Sequence, residues 1–133
     1  MSDNEATFTI DLIGDTTKDR KTGKFKVKKR LSHRDTIALD NYRRNLLGPN
    51  PDSASPRAAS IAFVSADLSV RILDAPTWWK ESDGGLELED DNVLKEIHDK
   101  SLMIEKDAYD ALHKQAEEAV EPIKEAIKEA NKI

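Results

Sequence analysis

Three histidines, His33, His98 and His113, are the side chains best suited to metal or proton chemistry, and they fall in separate segments of the chain. None stands at a metal-ligand spacing from a second His, Asp or Glu. His98 and Asp99 are neighbours, and neighbours do not share a helix face. The run Glu87, Glu89, Asp90, Asp91 offers oxygen ligands, but it lacks the spaced Asp/Asn/Gly pattern of a calcium loop and reads as a helix-capping cluster. Gly84-Gly85 reads as a turn or hinge. No phosphate-binding loop, dinucleotide fingerprint or nucleophile elbow occurs. The chain has no cysteine, which excludes thiol nucleophiles, thiolate metal sites and disulfides and suits a reducing compartment. No enzyme activity, metal or cofactor is expected.

With chemistry unsupported, binding carries the reading. Both tryptophans, Trp78 and Trp79, stand side by side. Each buried aromatic removes roughly 150–250 Å² from water, and adjacent residues on a helix point about 100° apart. One small core seldom hides both rings, so one indole is expected at the core edge or against another chain. Charge is segregated within a net of −5. Lys18 to Arg34 holds nine Lys or Arg against Asp19 alone, a local +8, while Glu81 to Ile133 holds sixteen acids and seven lysines, a local −9. Such poles attract each other within a monomer, or end to end between copies, which makes self-association an expectation. In the basic stretch, Lys24, Lys26 and Lys28 alternate with Phe25 and Val27. The outward lysines protect a strand edge or meet an acidic partner. Nucleic acid is disfavoured, because Phe25 points inward and no stacking platform remains.

The elements that must position these residues follow from periodicity. Thr7–Ile13 alternates with Phe8, Ile10 and Leu12 on one face, and Lys24–Leu31 alternates again, predicting a β-hairpin with a long polar tip. Ser32 and Asp35 predict a helix start, and Ile37, Leu39, Tyr42, Leu46 and Leu47 carry it to Gly48. Ser55-Pro56 opens the most apolar stretch, a central helix whose last turns, Leu68 to Ile72, also alternate like a strand. Asp74 is expected to cap a short turn carrying the tryptophans. A long final helix begins at Asp90 or Asp91, and Pro122 is expected to end or kink it. Beyond it, Ile123 and Ile127 form an apolar stripe. The expected fold is α-rich α+β: an N-terminal β-hairpin packed on three or four helices, with a long C-terminal helix kinked at Pro122. Residues 1–6 are expected to be a flexible N-terminus, 7–119 one domain and 120–133 an amphipathic tail. No stretch of 18 apolar residues predicts a membrane span, and the acidic N-terminus is unlike a secretory signal.

Leu68-x-Val70-Arg71, Asp74-Ala75-Pro76-x-Trp78-Trp79-Lys80-x-Ser82, Leu86, Leu88 and Asp91-Asn92-Val93 together resemble the small tail assembly proteins of long-tailed bacteriophages. The hairpin, Tyr42-Arg43-Arg44-x-Leu46-Leu47-Gly48 and the Pro-rich loop extend the likeness over residues 7 to about 112. The resemblance implies a mostly helical, noncatalytic chaperone of tail morphogenesis in the host cytoplasm. Its implied partners are the tape-measure and tail-tube proteins. Partner contacts are expected at Trp78, Trp79, Lys24, Lys26, Lys28, Ile123 and Ile127. A permanent virion structural protein, of tail or head-tail junction, is the alternative, and a small nucleic-acid-binding regulator using the basic hairpin is the third.

Overall fold

A computed structural model describes residues 3–131 and has an α-rich α+β fold. Strand β1 (Glu5–Ile13) pairs antiparallel with β2 (Arg20–Lys28), with Phe8 opposite Phe25 and Ile10 opposite Gly23. The strand therefore begins inside the stretch expected to be flexible, and Asn4 accepts from the Arg30 amide through its side chain. Residues 1 and 2 lie outside the described residues. The long polar tip is shorter than alternation implied, because Arg20 to Gly23 join β2. Helix α1 (His33–Leu47) starts at Ser32 in a reciprocal capping box with Asp35 and stops at Gly48. A 3-10 turn (Pro51–Ser53) leads to α2 (Pro56–Arg71), capped by Ser55. The ambiguous end of this stretch resolves as helix through Arg71, followed by β3 (Ile72–Asp74), which pairs antiparallel with β2. The sheet thus has three strands in the order β1-β2-β3.

Helix α3 (Thr77–Lys80) carries both tryptophans. Its N-cap is Pro76; Asp74 does not cap it, and instead accepts from its neighbour Ala75 and pairs with Lys80. Trp79 is 5% exposed and packs edge-on against Phe25, with Ile10, Leu68, Val93 and Ile97 completing the core. The following turn closes tightly over it. Ser82 Oγ donates to the Trp79 carbonyl at 2.6 Å and accepts from the Gly85 amide, and Ser65 Oγ donates to the Gly84 carbonyl. Gly85 sits at φ +89°, and a Cβ there would lie 2.7 Å from the Trp79 ring. The Gly-Gly pair is a pinned lid on the indole and not a hinge.

Helix α4 (Asp91–Ala130) runs 40 residues, about 60 Å, and passes through Pro122 without ending. The expected tail from residue 120 is its continuation, and residues 132–133 lie outside the described residues. Asp90 is the N-cap by position, yet its carboxylate does not cap the helix. It is buried against the hairpin turn and accepts from the Thr16 amide (2.8 Å), the Thr17 amide (2.7 Å) and Thr17 Oγ1 (2.7 Å). Gly14 is required beside it, because any Cβ would collide with that carboxylate. Asn92 and Lys100 donate to the Ile13 and Thr9 carbonyls, so α4 covers the free edge of β1.

Two expectations follow. Trp79→Ala should lower stability by roughly 3–5 kcal/mol, whereas Trp78→Ala, removing a half-buried ring, should cost clearly less; urea denaturation of both measures this. The hydrogen bonds from Thr17 and Thr16 hold the Asp90 carboxyl below its ordinary 3.8. Its contribution to stability is therefore complete above that value and fades as pH falls through the lower folded value. Asp90→Asn should flatten the loss of stability between neutral pH and pH ~3, read as the urea midpoint against pH. An unchanged slope would show the carboxylate is not the pin.

Candidate binding face

The most buried titratable groups of the body are tied into structure. Arg71, at the end of α2, keeps 2% of its side chain exposed. Its Nε and Nη2 donate to the two oxygens of Asp67, each at 3.0 Å, and Nη1 donates to Glu105 Oε2 at 2.8 Å on α4. Burial raises the Asp67 carboxyl, but His98 and Arg71 together outweigh it and hold the group below its ordinary range. His98 Nε2 lies 3.2 Å from Asp67 Oδ2 without hydrogen-bond alignment. The cluster spans two helices and opens onto no enclosed cleft. Arg57 and Asp91 form a two-pronged pair at 3.0 and 3.1 Å. Among the described residues no group of three or more His, Asp or Glu converges to hold a metal, and no helix is long and apolar enough to cross a membrane.

Each residue expected to bind partners has a definite place. Trp79 is a core residue, a correction to its reading as partner-facing. Trp78 is half-buried: its ring stands edge-on to Phe25 and Trp79, its Nε1 donates to the Thr22 carbonyl at 3.0 Å, and Lys21 Nζ lies 5.3 Å from its centroid. The indole is thus largely satisfied by its own hairpin. Lys26 pairs with Glu5 at 2.9 Å and Lys28 with Asp35 at 2.8 Å, so these two lysines are spent within the subunit; Lys24 stays exposed. Ile123 and Ile127 are 60% and 55% exposed.

Those isoleucines belong to a larger surface. Every described residue from Tyr109 to Asn131 is exposed, so the last six turns of α4 form an arm standing off the body. Leu102, Tyr109, Leu112, Val120, Ile123 and Ile127 share one face at helical spacing. Followed back through Glu105 and His98, that face reaches Leu94 in an open groove of about 480 Å³ between α2 and α4. Ile61, Val64, Leu94 and His98 line it, with Arg57 and Lys95. Phe63, itself half-exposed, stands edge-on to His98 beside it. Sequence spacing places one stripe on Leu94, Ile97, Ile104, Ala108, Ala111 and Leu112 and a second on Val120, Ile123 and Ile127; their continuity through Pro122 is not legible there, because a proline reads as a break. The consequence appears in the surface area. The chain exposes 8998 Å², against roughly 7,000 Å² for a compact monomer of 14.9 kDa. Exposed i,i+4 contacts such as His113–Glu117 add little to the arm's helix.

Arg71→Ala should strand two carboxylates, one of them buried, and destabilise the body by roughly 3–5 kcal/mol, measured by urea denaturation. Compared with known proteins, the chain matches no family model, no curated protein and no solved structure.

Proposed function

We propose that this chain is a noncatalytic assembly protein that holds a helical partner against the exposed face of α4. One observation carries the reading: an uninterrupted amphipathic face runs from the α2–α4 groove to the end of a projecting arm, on a chain exposing roughly 2,000 Å² more than its mass requires. An apolar stripe of this kind binds by laying side chains at steps of three and four into a partner's groove, or by receiving them. The resemblance to tail assembly proteins of long-tailed bacteriophages names the client: the tape-measure protein, with tail-tube subunits assembling on it in the host cytoplasm. Internal pairing of Lys26 with Glu5 and of Lys28 with Asp35 takes two of the hairpin's cations away from the nucleic-acid reading.

Coexpression with the tape-measure protein tests this. The wild-type chain should raise the client's soluble fraction and copurify with it. Ile123→Asp with Ile127→Asp should weaken copurification roughly tenfold or more while leaving the urea midpoint of the body unchanged, because both side chains lie outside the core. Undiminished rescue by that variant would place the binding face elsewhere and overturn the proposal.

A further inference from the structure

Reversed end for end, the face of α4 sets apolar residues opposite one another at its two ends and at its centre. Reversing the helix about a point between Asp110 and Ala111 brings Leu94 opposite Ile127, His98 opposite Ile123, and Tyr109 opposite Leu112. The same reversal sets Leu102 opposite Ala119 and Glu105 opposite Ala116, large side chains against small ones. From this juxtaposition we infer that two copies of the chain pair through α4, antiparallel about a two-fold axis near residues 110–111, with the arm tip of each copy seated in the α2–α4 groove of the other.

Four observations support a second copy as the occupant. A two-fold contact must be self-complementary, and the reversed stripe sets Leu94 on Ile127, Tyr109 on Leu112 and Leu102 on Ala119. The groove lies on the same face of α4 as the arm, so one continuous partner helix reaches both. The groove offers apolar walls at Ile61 and Val64, and the arm tip brings Ile123 and Ile127, both without cover in the monomer. The area in excess of a compact monomer is roughly 2,000 Å² per chain. That exceeds the ~800 Å² each partner gives to a standard stable interface. Glu105 stays tied to Arg71 in this arrangement, and Ala116 opposite it leaves room for the carboxylate. The inference rests on the same reading of α4 as the binding face, so that a client and the second copy compete for that face, but not on the identity of any client.

The chain's lack of cysteine makes a direct test available. Leu102→Cys and Ala119→Cys are made separately, both at exposed positions outside the core. In the antiparallel pair, residue 102 of one copy meets 119 of the other and stands roughly 25 Å from its own counterpart. Mixed under mild oxidation, the two variants should form a disulfide between them, while each alone should form none. The wild type should sediment as a dimer at micromolar concentration. Ile123→Asp should weaken dimerisation roughly tenfold or more with an unchanged circular dichroism spectrum. A monomeric wild type, a variant that links with its own kind, a mixture that does not link, or an Ile123→Asp protein that dimerises normally would each overturn the inference. A wild type that is monomeric yet rescues its client would remove the dimer and leave the proposed function standing; a dimer that rescues nothing would do the reverse.

Discussion

Arg71 fixes where the body ends and the arm begins. A guanidinium withdrawn from water must be met by carboxylates at hydrogen-bond distance, or it destabilises the fold by several kcal/mol. One carboxylate, Asp67, sits a turn back on α2 and grips it with both oxygens; the other, Glu105, comes from α4. The planar fork of arginine permits this double engagement, which an ammonium would not reproduce. The cross-helix bond holds α4 against α2 at one register. Its position is consequential, because Ala108 is the last residue of α4 with appreciable burial.

A second constraint acts at the opposite end of the same helix. Asp90 could have satisfied the free amides of α4, the usual work of an acid at an N-cap. It is spent instead on the hairpin turn at Thr16 and Thr17, while Asn92 and Lys100 hold the β1 edge. Between these polar attachments lie Val93 and Ile97, which meet Trp79 and Phe25 in the core. The first four turns of α4 therefore organise sheet, α2 and indole lid together, and the rest of the helix is free of that duty. One element holds the body together with its first part and leaves its last part exposed.

This division bears on function. The buried acids and base Asp67, Asp90 and Arg71 are tied into contacts that hold elements together, and the histidines lie apart: His33 exposed at the start of α1, His98 beside Asp67, His113 on the arm beside Glu117. What the fold leaves unused is apolar area on a projecting helix. An exposed face of that length favours association with a matching helix, whether in a client or in a second copy, because burial of apolar area is the largest gain open to it.

Much of the local structure was legible in the chain. Alternation placed β1 and β2 with their inward residues, Ser32 with Asp35 and Ser55 with Pro56 marked two helix starts, and Gly48 marked an end. The exposed Ile123–Ile127 stripe was legible too. These signals are carried by residues one to four positions apart, so neighbours in sequence suffice to express them. Which tryptophan is buried, the third strand at Ile72, the turn held by Asp90, and the spacing of Asp67 and Arg71 as a buried grip on Glu105 were decided by segments that meet only after folding. Even Pro122 belongs here: its cost to a helix is local, but whether the helix continues depends on the whole. Periodicity states which face of an element is apolar; only the tertiary structure determines which other surface that face meets, or whether it meets none.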